Sequence, residues 1–247
     1  MRAEWDEFRA RDLQDNGLLI VEDGNHGEFR PRPDEFGVGT TAFIRASDLS
    51  GGQVLFDSAD PISETAVARI RKGFGKGGDV LFSHKGTVGK VAFVELDAPA
   101  FVCSPQTTFW RSLDDSKLDR RYLYYYLLSP RFTRQWQARK GETDMADYVS
   151  LSAQREFFVT LPIPAEQKAI SGILGALDEK IDHNRRMDRT LEAIARAVFR
   201  SWFVDFDPVV AKAEGRQPFG MDAETAALFP SRFVESELGP IPDGWAV

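Results

Sequence analysis

The sequence predicts an α+β protein: a mixed α/β domain over residues 1–163, one long coiled-coil helix over 164–205, and a loop-rich C-terminal segment over 206–247. Three features of the chain predict it. Short apolar runs rich in β-branched and aromatic residues, punctuated by glycine, fill the first part. At Leu161-Pro162-Ile163-Pro164 the texture changes, and apolar residues then recur at three- and four-residue steps for roughly 38 residues. Beyond Pro208, glycine and proline return at short intervals.

In the first part, strands are expected at Thr41–Ile44, Asp79–Ser83, Val88–Val94 and Thr107–Trp110, with breaks at Gly51-Gly52, Gly77-Gly78 and Gly86. Tyr122–Leu128 predicts a helix, continued at four-residue steps by Phe132 and Trp136, which Pro130 kinks or divides. Pro164 suits a first helical turn and Glu166 the positive end of a helix dipole. The stripe that follows is Ile170, Ile173, Leu174, Leu177, Ile181, Met187, Leu191, Ile194, Val198 and Trp202, interrupted by Asn184. At 1.5 Å per residue it is about 57 Å long, more than a small domain covers. Two arrangements would cover it: a second long helix from another molecule, or a fold back across the first domain. The helix is expected to stop near Asp205-Phe206-Asp207-Pro208, leaving a loop with one helix at Asp222–Phe229. Ile241-Pro242-Asp243-Gly244-Trp245 faintly echoes Ala3-Glu4-Trp5.

Composition narrows the function. The 247 residues are 43% hydrophobic and include 19 Phe, 5 Trp and 5 Tyr, enough for a substantial core and too apolar for a disordered chain. No apolar run approaches the ~18 residues of a membrane span, and the start has no export h-region, so a cytoplasmic location is expected. A single cysteine, Cys103, excludes an intramolecular disulfide, and with three scattered histidines no metal site is expected. The net charge of -7 argues against indiscriminate nucleic-acid binding. Placement matters more than the sum. Arg69, Arg71, Lys72, Lys76, Lys85 and Lys90 face a single acid, Asp79, across one island, and Arg120, Arg121, Arg131, Arg134, Arg139 and Lys140 form a second with none. Each island is either a phosphate-binding patch or a solvated face.

Familiar catalytic signatures fail. Gly73-Phe74-Gly75-Lys76-Gly77-Gly78 has dinucleotide spacing, but a helix-like stretch (63–72) precedes it and a strand follows, the reverse of what the motif needs. Gly89-Lys90 lacks the rest of a P-loop. Glu166-Gln167-Lys168 and Asp178-Glu179-Lys180 have acid-lysine spacing but read as ordinary helix surface. No Pro-Pro pair exists for the adenine-binding motif of a methyltransferase. No catalytic residue and no cofactor is expected.

Phe43-Ile44-Arg45-Ala46-Ser47-Asp48-Leu49 and Gly78 through Lys90 (GDVLFSHKGTVGK) resemble the target recognition domain of type I restriction-modification specificity subunits. Leu161–Pro164 with Glu166–Ile170, then Leu177–Ile181, resemble that family's entry into its spacer helix, as does Asn184–Met187 through Ser201-Trp202-Phe203-Val204-Asp205-Phe206-Asp207-Pro208. The resemblance implies a non-catalytic subunit that holds double-stranded DNA for a methyltransferase (modification) subunit and a restriction/translocase subunit. A full family member carries two recognition domains separated by two antiparallel helices. One domain and one helix are visible here, with an ending (Leu238-Gly239-Pro240-Ile241-Pro242-Asp243-Gly244-Trp245) that resembles the entrance to a second recognition domain. A half-length form, naturally short or truncated, pairing as a homodimer through the helix on a bipartite target is therefore expected. On that basis Lys72, Lys76, Lys85, Lys90, Arg131, Arg134, Arg139 and Lys140 are candidate phosphate contacts. His84, Thr87, Asn25, His26 and Thr143 of the 141–147 loop are candidate readers of bases. Ile170, Ile173, Leu174, Leu177, Ile181, Leu191, Ile194, Val198 and Trp202 form the dimerisation seam. Two rivals remain: an enzyme associated with DNA methylation, and a coiled-coil scaffold that never binds DNA.

Overall fold

The computed structural model describes residues 5–141, 147–237 and 239–245. The chain divides into two compact units between Ala176 and Leu177, a point inside the long helix. In chain order the first unit contains β1 (Asp6–Arg9), α1 (Ala10–Asp15), β2 (Leu19–Asp23), β3 (Phe36–Ile44), β4 (Leu49–Ser50), β5 (Gln53–Val54) and β6 (Pro61–Ile62). It continues with α2 (Glu64–Arg69), β7 (Val80–Ser83), β8 (Val91–Phe93), β9 (Phe101–Cys103) and β10 (Thr107–Ser112). Then come α3 (Arg120–Leu128), α4 (Pro130–Gln137), α5 (Leu151–Arg155), β11 (Phe158–Leu161) and the start of α6 (Pro164–Phe203).

The framework is a six-stranded sheet ordered β2-β10-β7-β8-β5-β4. The pairs β2·β10, β10·β7 and β7·β8 are antiparallel. Alternation sorts its side chains onto two faces. Val80, Phe82 and Trp110 enter one core with Tyr122, Leu123 and Phe132 of α3 and α4. Leu81 and Phe109 enter the other with Ile44, Phe101 and Cys103. Both faces are covered, which is why all four β7 residues are buried and the run is not alternately polar. A three-stranded sheet β6-β3-β9 and the antiparallel ribbon β1-β11 complete the unit.

Local differences from the expected elements have physical causes. The strand expected at Val88–Val94 is shortened to Val91–Phe93 because Gly86 and Gly89 hold positive φ (78° and 104°) and turn the chain before it. At Gly89 a Cβ would lie 2.5 Å from the Trp136 ring, so only glycine fits. Pro130 divides the two helices: Ser129 ends α3, caps α4 by accepting from Phe132 N–H, and leaves Pro130 in the first turn.

Helix α6 is continuous for 40 residues, about 60 Å. Its first turns belong to the first unit. Gln167, expected on the helix surface, is 1% exposed and hydrogen-bonded to three backbone groups, and Ile170 packs against the aromatic core. Farther along, Ile173, Leu177, Ile181, Leu191 and Ile194 are 46–66% exposed. Leu174 and Trp202 are half-buried and Asn184 is exposed.

The second unit is more ordered than its composition predicts. In place of a loop with one helix it contains α7 (Asp207–Ala213), α8 (Ala223–Ala227) and an antiparallel hairpin of β12 (Phe233–Ser236) and β13 (Gly239–Pro242). Helix α6 ends at Phe203, before the expected stop, and Pro208 occupies the first turn of α7. The reversal is made at Phe206, whose φ of 55° is unusual for a bulky residue. Ring contacts with Phe233 and Trp245 hold it there. Trp202, Phe203, Phe229 and Trp245 close the same aromatic cluster. Trp245, half-buried, is thus part of the aromatic cluster of this unit.

Candidate nucleic-acid interface

One end of the six-stranded sheet gathers three connections. β7 and β8 are joined by residues 84–90, β9 and β10 by 104–106, and β2 leads out through Gly24, Asn25 and His26. They are stitched together by backbone bonds: His84 N–H donates to Gln106 O (2.9 Å), Gly24 N–H to Thr107 O (3.0 Å) and Asn25 N–H to Cys103 O (2.7 Å). Gly24 passes so close that a Cβ would sit 1.9 Å from Ser104 O. From the far side Val149 N–H donates to His84 O and Gly86 N–H to Asp147 O, both at 2.9 Å.

Between these connections and the start of β3 lies an open groove of about 410 Å³, lined chiefly by Arg30, Phe36, Phe43, Arg45, Lys85 and Gln106. The Arg45 guanidinium lies over the Phe36 and Phe43 rings, 5.1 and 5.9 Å from their centroids, and its Nη1 meets Asp60 at 2.6 Å. Lys85 is exposed and has no ion-pair partner among the described residues. The chain as a whole is acidic, yet the walls of this groove are cationic and aromatic.

The candidate residues separate into groups. Lys85 and Thr87 are exposed on the 84–90 loop, whereas Lys90 turns its Nζ onto Ala46 O (2.8 Å). Lys72 stands at the same end, 3.1 Å from His26 Nε2. Lys76, also exposed, precedes the start of β7 and so lies at the opposite end of the sheet from Lys85. The second island also divides. Lys140 pairs with Asp147 (2.7 Å), beside the 84–90 loop, while Arg131 pairs with Glu7 of β1 (2.5 Å). Arg134 is exposed without an ion pair among the described residues, and Arg139 is exposed. Thr143 lies outside the described residues.

His84 and Asn25 are not surface groups. His84 is 3% exposed: its Nδ1–H donates to Val149 O (3.0 Å), and Nε2 lies 3.9 Å from Asp23 Oδ1. Burial lowers its pKa, so the neutral ring is favoured, packed 5.5 Å from Tyr148. Asn25 is fully buried. Both support the loops from beneath, where a direct base contact is out of reach. Arg30, Arg45 and Gln106 were missed in the sequence. Arg45 belongs to the FIRASDL segment, but nothing local to Ser104-Pro105-Gln106 links that turn to Lys85.

Deeper in the unit, Asp79 is fully buried and held by Arg111 through two hydrogen bonds of 2.6 and 2.7 Å. Burial raises the Asp79 pKa and the guanidinium opposes that rise, the pattern of a structural pair. Among the described residues no group of three or more His, Cys, Asp or Glu is placed to hold a metal ion, and no helix is long and apolar enough to cross a membrane.

Residues 22–193 match the model of the type I restriction modification DNA specificity domain. The specificity subunit of the type I restriction enzyme HindI from Haemophilus influenzae is 28% identical over 231 residues, covering 92% of this chain and 46% of that protein. The MjaIX specificity subunit of Methanocaldococcus jannaschii is 25% identical over 179 residues, covering 70% and 39%. The chain thus spans less than half the length of these curated relatives. Among solved structures, the HsdS subunit of Thermoanaerobacter tengcongensis aligns with a TM-score of 0.54 at 18% identity, over 90% of this chain and 52% of that one. The S subunit from M. genitalium aligns with a TM-score of 0.56 at 14% identity, over 86% and 49%. At these identities the likeness is one of fold.

Proposed function

Because the chain belongs to the type I restriction-modification DNA specificity family, we propose that it reads a double-stranded DNA sequence on behalf of a methyltransferase subunit and a restriction/translocase subunit. It adds no chemistry of its own. The observation that carries this reading is the cationic, aromatic groove at the end of the sheet, set in a chain of net charge -7. Phosphate contacts from Lys85, Lys72 and Arg45 position the duplex, and groups on the connecting loops discriminate bases.

The exposed stripe of α6 extends the proposal. A second copy of this chain covers it, and the two helices lie antiparallel, the arrangement that a two-fold axis perpendicular to them generates. Such a dimer carries two recognition units and reads a two-part, inverted-repeat target.

The test is a binding titration of the full chain against a random-sequence duplex pool at several salt concentrations. The expected result is an enriched motif, with affinity falling as salt rises. Lys85→Ala and Arg134→Ala are each expected to lower the salt slope by about one unit while leaving the motif intact. Unchanged slopes in both would mean that these surfaces face away from DNA. Absence of any DNA binding would make the chain a coiled-coil scaffold, and methyl transfer by the chain alone would make it an enzyme.

A further inference from the structure

We propose that Gln106 reads the edge of one A·T base pair in the groove, with Lys85 and Arg45 clamping phosphates on either side of it. The inference rests on the DNA-reading function above and assigns its specificity to a particular side chain. A base reader must be rigidly mounted and must have a free hydrogen-bonding head. Gln106 has both. Its carbonyl accepts from His84 N–H (2.9 Å), its own N–H donates to Ser104 Oγ (3.3 Å), and Thr107 opens β10, an inner strand of the sheet. Its side chain is exposed and has no hydrogen-bond partner among the described residues.

The neighbouring polar groups are less suited. Ser104 is 2% exposed, and Asn25 and His84 are buried. Arg30, Arg45 and Lys85 present donors only, which suits phosphate. Gln106 alone among the groove's lining residues carries an exposed amide, with a donor and an acceptor in one plane. That fork matches N6–H and N7 of adenine in the major groove and no other base edge as well. The flanking cations fit the same geometry. Lys85 precedes the exposed turn of the 84–90 loop. The Arg45–Asp60 pair, with side chains 35% and 52% exposed, is of the weak kind that a phosphate displaces.

The experiment repeats the pool selection with the full chain and with Gln106→Ala, Gln106→Glu and Lys85→Ala, each checked for wild-type circular dichroism. Wild type is expected to prefer A·T at one position. Gln106→Ala should lose that preference by about 5- to 150-fold, with other positions and the salt slope unchanged. Gln106→Glu, which keeps the length but loses the donor, should turn the same position toward cytosine. Lys85→Ala should weaken all sequences alike. A Gln106→Ala protein that selects the wild-type motif with wild-type ratios overturns the assignment, as does one that weakens every sequence equally. A wild-type chain that selects no motif instead overturns the DNA-reading function itself.

Discussion

Replacing Gln167 by alanine tests how α6 is rooted in the first unit. The Gln167 amide is 1% exposed and joins three stretches of backbone. Asp119 N–H donates to Oε1 (2.9 Å), and Nε2 donates to the carbonyls of Lys117 (3.0 Å) and Pro162 (2.8 Å). Truncation strands one donor and two acceptors. A buried unsatisfied group costs about 1–3 kcal/mol, and only the Pro162 bond is fully buried, so the expected loss is about 2–4 kcal/mol. Alanine's better helix propensity offsets no more than a few tenths of a kcal/mol. The loss should also reach α3, because Asp119 is its N-cap, accepting from Tyr122 N–H at 2.7 Å. Urea unfolding, followed by circular dichroism and tryptophan fluorescence, reads the change directly. A loss below about 0.5 kcal/mol would place Gln167 among ordinary surface substitutions and refute this account of the anchor.

Two other perturbations are specific. Charged replacements at both Leu177 and Leu191, which are each 56% exposed, should abolish self-association in sedimentation velocity while leaving the circular dichroism and melting of the first unit unchanged; a wild-type chain that sediments as a monomer at every accessible concentration refutes pairing through the stripe. Because burial holds the His84 pKa below its ordinary 6.5, the unfolded chain takes up that proton first as pH falls. The His84 contribution is complete above pH 6.5 and lost progressively as pH falls toward the lowered folded value, so wild type should lose more melting temperature than His84→Gln between about pH 7.5 and about pH 5.5. Equal losses would show that Asp23, 3.9 Å away, stabilises the protonated ring enough to cancel the effect of burial.

What was legible in the sequence follows from how each element is buried. The β7 and β10 strands stand out because the sheet is covered on both faces, so each carries four consecutive buried residues, mostly β-branched, aromatic or aliphatic. The β1 strand does not, since its residues Asp6, Glu7, Phe8 and Arg9 are exposed or half-buried and carry no alternation to find. Strands of two residues such as β4, β5 and β6 are too short to carry any period. Polar residues at strand ends misled in the other direction. His84 and Asn25 have the composition of a surface loop and lie beneath one, held there by bonds to residues 149 and 103 that no local pattern announces. The groove itself is assembled from Arg30, Arg45, Lys85 and Gln106, four separate stretches of chain brought together only by sheet pairing.

The long helix changes character along its length, and that change explains its role better than its periodicity does. Near its start it is anchored in the first unit by a buried amide and by Ile170 against an aromatic core. From Ile173 onward Leu177, Ile181, Leu191 and Ile194 recur on one stripe and remain exposed. Single exposed apolar residues are normal on a protein surface, but a continuous stripe of them at coiled-coil spacing is what the proposed pairing of two copies would cover. Fully burying one Leu or Ile contributes about 1.5–3 kcal/mol, an upper bound because the free helix already shields part of each side chain. Taken over two copies of a stripe of this length, that burial exceeds the roughly 4–15 kcal/mol of freedom lost on association. In the proposed dimer Asn184, exposed within the stripe, would set the register: opposite a second Asn184 its amide would be satisfied, and a slip would set it against apolar side chains. A fixed register is what the proposed reading of a two-part DNA target with a constant spacer requires.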